Sequence, residues 1–221
     1  MASTTNTVDK IIDSALALAE ERRSWEAVRL HDVAAAIGMT LDDIRSHFRE
    51  KEDLVDAWFD RADGAMLRDA ATPEFLQLES RARLQRAILT WLDALASHRG
   101  VTRQMILAKC EPGHIHIQIP AVMRISRTVQ WIREAAQRDA AYLHRAVEET
   151  VLTSIYLTTF VYWMGDDSPG STRTRSFLDN LLGMAETVEG GVLRFLMHAG
   201  PIKSMPRLLA PPKPQLPSHT P

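Results

Sequence analysis

Apolar residues recur at three- and four-residue spacing along most of the chain, and the rhythm breaks at proline, glycine and short polar runs, the pattern of consecutive amphipathic helices. Residues 8–21 form the first such segment. In residues 31–37, Val33, Ala34 and Ile37 share one face, and Gly38 supplies the tight left-handed turn that follows. Thr40 then caps a new helix with Asp43 three residues on, and Ile44 and Phe48 carry its apolar face. These three short segments predict a helix-turn-helix head with one small shared core.

The larger remainder reads the same way. Residues 51–71 carry Leu54, Val55, Trp58, Phe59, Ala62, Met66 and Leu67 and stop at Pro73. A helix over 74–98, with Leu84, Ile88, Leu92 and Leu95, is predicted to stop at Gly100, and a shorter one over 101–110 at Glu111-Pro112-Gly113. Further helices are predicted over 120–136, 140–164 and 172–197, the last two separated by residues 165–170. The longest alternating stretch, 114–119, is too short to argue for a sheet, so the expected fold is all-α. The chain divides into a head (1–52), a helical body (53–199) and a proline-rich tail (200–221).

On Val33, Ala34, Gly38, Thr40, His47, Phe48, Lys51 and Leu54 the head resembles the TetR family of bacterial one-component regulators, whose turn, His-Phe pair and lysine fall at this spacing. The resemblance implies a helical fold, a homodimer paired through its last two helices, and operator DNA as partner. It implies DNA contacts by Thr40, Arg45, Ser46, His47 and Lys51, with His47 and Lys51 at phosphates and Arg45 at a base or a phosphate. A candidate dimer stripe is Val151, Ile155 and Thr158 with Leu178, Leu182 and Ala185.

Charge complicates the picture. Residues 1–60 hold seven cations and thirteen anions, a net of −6, whereas affinity for duplex DNA draws mainly on lysine and arginine. Asp42 and Asp43 open the reading helix where the family carries other residues; they also suit a helix N-terminus. Residues 81–145 are the converse, with eleven cations against four anions. Such a face attracts anionic headgroups, an acidic partner or the acidic head itself, and is equally a solvated helical surface.

A second resemblance lies further on. Ile155, Tyr156, Thr158 and Thr159, then Asp166, Ser168 and Pro169, then Phe177, Leu178, Asp179 and Asn180, are similar to the TetR-derived lipid-binding accessory proteins of ubiquinone biosynthesis. That resemblance implies an isoprenoid or quinone-like lipid as ligand and no DNA. Trp91, Leu95, Met105, Ile106, Val122, Met123, Ile125, Val129, Ile155, Tyr156, Thr159, Phe160 and Trp163 are the candidate lining of an apolar chamber with few polar anchors. Each of them taken singly also reads as ordinary core.

Other chemistries find little support. Cys110, His114 and His116 offer soft and imidazole ligands but match no standard zinc spacing and lack a fourth ligand. No nucleophile elbow, phosphate loop or dinucleotide fingerprint occurs, so neither an enzyme nor a cofactor is expected. A single cysteine suits a reducing compartment, and a polar N-terminus with no apolar run near 18 residues suits the cytoplasm. Val192 to Leu209 interleaves apolar and basic residues, fitting contact with a membrane surface or partner as well as packing on the body. The expected function is a ligand-responsive transcriptional regulator. The alternative is a lipid-binding accessory protein on the same scaffold.

Overall fold

A computed structural model describes the backbone of residues 2–109, 115–138 and 142–198, and side chains within 7–108, 123–138 and 148–187. Among the described residues every regular element is helical: α1 (Ala2–Glu21), α2 (Leu30–Ala36), α3 (Leu41–His47), α4 (Lys51–Ala70), α5 (Pro73–Leu76), α6 (Ser80–Leu95), α7 (Arg99–Lys109), α8 (Ile115–Ala135), α9 (Tyr142–Met164) and α10 (Thr172–His198), with 3-10 turns at Ala96–His98 and Pro169–Ser171. Residues Met1–Gly183 form one compact unit. Met184–Pro221 form a second, whose described part is the C-terminal stretch of α10. No helix among the described residues is long and apolar enough to cross a membrane.

The head folds as its pattern dictates. Ile11, Ile12, Ala15, Leu16 and Ala19 of α1 bury against Val33 and Ala34 of α2 and Ile44 of α3, with Val28 and Phe48 closing the core. Gly38 takes φ +68°, a conformation that costs an L-residue strain, and so turns α2 into α3. From there α4 runs out of the head and lies along α6. Trp58, Phe59, Ala62 and Met66 of α4 and Ala87, Ile88, Trp91, Leu92 and Leu95 of α6 are all buried.

Three boundaries differ from the periodic reading. The expected 74–98 helix divides into α5 and α6, because Thr72 caps a separate turn by accepting from the Phe75 amide and that turn sinks Phe75 fully into the core. Gly100 lies inside α7; the interruption falls instead at the 3-10 turn before it. The alternating stretch at 114–119 belongs largely to α8, which starts at Ile115, not at Pro120.

Candidate functional site

The reading helix is built around its own acids. Thr40 Oγ1 accepts from the Asp43 amide at 3.1 Å, while Asp43 Oδ2 accepts from the Thr40 amide at 2.8 Å and the Thr40 hydroxyl at 2.7 Å. These bonds, the one from the Thr40 backbone foremost, hold the Asp43 carboxyl below the usual aspartate range. Asp43 is thus a capping residue. Asp42 stands exposed beside it with no partner among the described residues.

Of the five residues expected at DNA, Thr40, Arg45 and Ser46 are exposed, and Ser46 Oγ donates to the Asp43 carbonyl at 2.7 Å. His47 is half-buried. Lys51 turns inward: its Nζ donates to the Trp25 carbonyl at 2.6 Å and the Glu26 carbonyl at 3.4 Å, and lies 4.9 Å from the Trp25 ring centre. Burial pushes its ammonium below the usual lysine range. Other head cations are engaged as well. Arg22 pairs with Asp32 at 2.6 Å, and Arg29 donates to the Glu26 carbonyl at 3.0 Å.

Polar contacts join head to body through α7 and the turn before it. Gln104 Oε1 accepts from the Trp25 amide at 2.6 Å, His98 meets Glu20 at 2.7 Å, and the buried indole of Trp58 donates to Thr102 at 3.0 Å. The other end of the joint is Arg99, which donates to the Asp166 carbonyl and to Ser171 and lies over the Trp163 ring at 4.6 Å.

In the body, the candidate lining residues divide. Trp91, Tyr156, Phe160 and Trp163 form one aromatic cluster: Tyr156 and Phe160 each meet Trp91 edge-on, at 5.3 and 5.4 Å between ring centres, and Phe160 stacks on Trp163 at 5.9 Å. Leu95, Met105, Val129, Ile155 and Thr159 are buried with them, and Ile106 and Ile125 are half-buried. Met123 does not belong to this lining, since α8 turns it outward and leaves it 63% exposed. Val122 lies outside the residues whose side chains are described, as do Cys110, His114, His116 and the tail. The proposed dimer stripe also needs correction. Ile155, Leu178 and Leu182 are buried within the chain and Ala185 is half-buried, while Val151, Thr158, Val161 and Tyr162 face outward.

A polar network threads this apolar interior that residue patterning had not revealed. Asp63 accepts from the Trp91 indole at 2.7 Å, from Thr128 at 3.1 Å and from Arg124 at 3.1 Å, and Arg124 also reaches Asp60 at 2.5 Å. Burial pushes the Asp63 carboxyl up against the pull of these donors, and burial foremost raises the Tyr156 phenol. The available signal was an aspartate on the inner face of α4 and an Arg-Thr pair four residues apart on α8.

A helix-turn-helix head carried on a larger helical body defines a protein of the TetR type. The chain is 55% identical to the TetR transcriptional regulator from Nitrosomonas europaea ATCC 19718, covering 82% of this chain and 98% of that one with a TM-score of 0.74, and so belongs to the TetR family. A TetR transcriptional regulator from Rhodococcus sp. RHA1 shares the fold at 17% identity and a TM-score of 0.57, covering 78% of this chain and 93% of that one. The COQ9 family model matches residues 139–189, which take in α9 and the start of α10. No curated protein matches the chain.

Proposed function

We propose that the protein is a homodimeric, ligand-responsive transcriptional regulator that binds operator DNA through α3 and an apolar small molecule in the body. One observation carries this reading: α3 is a fully capped helix fixed on a packed head, with Arg45 and Ser46 turned outward where a groove would receive them. The 55% identical relative, itself a TetR transcriptional regulator, supports it. Thr40 and His47 join them as backbone contacts; Lys51 shapes the head by holding the loop at Trp25. A ligand that changed the packing of α7 and the turn before it would act on the head through Gln104 and His98, shifting the population between DNA-competent and DNA-incompetent dimers.

The COQ9 match favours a second reading, in which the same scaffold holds a lipid for a partner protein and has given up DNA. Asp42 and the net charge of −6 over residues 1–60 also fit that reading. Fluorescence anisotropy with the chain's own upstream DNA, over a salt series, separates the two. A regulator binds at low salt and weakens steeply as salt rises. Absence of binding even at low ionic strength, together with a retained lipid in native mass spectra, assigns the accessory role instead.

A further inference from the structure

An arginine cannot discard its charge on burial, and its guanidinium presents five N–H donors that require acceptors. Buried arginines therefore come with partners. In this body Arg124 holds Asp60 and Asp63, Arg99 holds the Asp166 carbonyl and Ser171, and Arg138 donates to Glu148. Among the described residues the exception is Arg133. It is 3% exposed, it shares the inner face of α8 with the buried Val129, Ile132 and Ala136, and its Nε is buried without a partner. No hydrogen bond or ion pair from any described residue reaches its guanidinium.

The neighbouring cations are already engaged. One helical turn further on, Gln137 accepts from Arg83 of α6 at 2.6 Å, and Arg138 also reaches Ser80 at 3.1 Å, so the residues after α8 meet the start of α6. Glu148, buried on α9, is engaged by Arg138 through Oε1 alone, its Oε2 being buried without a partner and making no bond to Arg133; Glu134, next to Arg133 in sequence, is exposed on the outer side of α8. A buried cation without a partner is a poor element of structure and a good receptor for an anion.

We propose that Arg133 anchors an oxyanion, a carboxylate or phosphate group, of a molecule bound in the body. The proposal rests on the reading of the body as a ligand chamber and adds the ligand's charge to it. Val129 and Ile132 on the same face suit a hydrocarbon portion adjoining the charged group, which makes an acidic amphiphile the fitting class.

The experiment uses the full chain with three probes, sodium dodecanoate, dodecan-1-ol and inorganic phosphate, followed by thermal shift and by native mass spectrometry. Dodecanoate is expected to raise Tm saturably and to bind about tenfold or more tightly than dodecanol. Arg133→Met removes that preference while retaining dodecanol binding, and its unliganded Tm equals or exceeds that of the unsubstituted protein, because an unpaired buried charge has been replaced by an apolar stem. Arg133→Lys retains the preference for the acid, and Arg127→Met, on the exposed side of α8, changes nothing. If phosphate alone gives a shift that depends on Arg133, the proposal holds with a free anion as its source. Equal binding of acid and alcohol overturns the anchor while leaving an apolar chamber in place; binding of none of the probes overturns both. A preference that survives Arg133→Met, or a fall in its unliganded Tm, also overturns the proposal. DNA affinity is measured without any probe, so the regulator reading stands or falls separately.

Discussion

The Lys51 ammonium closes on the Trp25 carbonyl at 2.6 Å, so a side chain that family position puts at the DNA backbone ties the start of α4 to the loop after α1. The same Trp25 residue gives its amide proton to Gln104, which makes this loop the point where head, α4 and α7 meet. Lys51→Met keeps the stem and removes the donor. It should lower stability by about 1.5–3 kcal/mol, the worth of a hydrogen bond from a charged donor, as measured by urea denaturation. It should leave the salt dependence of DNA binding unchanged, whereas loss of a true phosphate contact reduces the slope of log K against log salt by about 1.

The two aspartates that open α3 should respond differently to the same substitution. Asp42→Asn removes an exposed, unpartnered negative charge from the start of α3 and is expected to tighten operator binding with only a small fall in Tm, that of a lost helix-dipole contact. Asp43→Asn disrupts the reciprocal bonds with Thr40 and should lower the stability of the head. Anisotropy paired with thermal denaturation of each variant distinguishes the effects. If both variants tighten DNA binding with no loss of stability, Asp43 is not acting as a cap.

Asp63 and Arg124 form a buried pair inside the body, and such pairs are costly to break on one side only. Asp63→Asn leaves Arg124 in an apolar interior with Asp60 as its remaining carboxylate partner, and should cost about 3–5 kcal/mol. Asp63→Leu with Arg124→Met removes both charges and should recover most of that loss. A double-mutant cycle by chemical denaturation measures the coupling; additive losses would show that the pair does not act as a unit.

The head was legible in the sequence because its determinants are local. A glycine at the left-handed turn, a Thr-x-x-Asp cap and a short apolar period each act within four residues, and the structure realises them within one or two positions. The body was legible as a series of helices, since proline and polar breaks set most of the ends. Its interior was not. Whether Ile155 or Val151 faces the core depends on how α9 packs against α6 and α8, and no periodicity fixes that rotation. Lys51 escaped for the same reason: its acceptors lie 25 and 26 residues earlier, and a flexible stem reaches whichever carbonyls the fold presents. The Asp63 network joins three helices, so its members look like isolated polar interruptions until those helices are assembled.

The joint between α9 and α10 offers a test that depends on pH. Asp166 Oδ1 accepts from the Ser168 amide at 2.9 Å, and Oδ2 accepts from the Thr174 amide at 2.9 Å and the Thr174 hydroxyl at 2.6 Å, so a buried carboxylate caps the start of α10. Burial pushes this carboxyl up, but the bonds from Ser168 and Thr174 together outweigh it and hold the group well below the usual aspartate range. A carboxyl depressed on folding contributes stability above its unfolded pKa and loses that contribution as pH falls through the folded one. Asp166→Asn replaces one acceptor oxygen by an NH2 group that opposes the incoming donors, and should cost about 1–2 kcal/mol at neutral pH, the worth of a lost cap. The gap between the two proteins should be constant above the usual carboxylate range and narrow progressively in more acidic solution. Because Asp43 and other carboxylates titrate in both proteins alike, the difference between their stability profiles isolates Asp166. A gap that widens on acidification would reverse the assigned sign and require the carboxyl to be protonated in the folded protein.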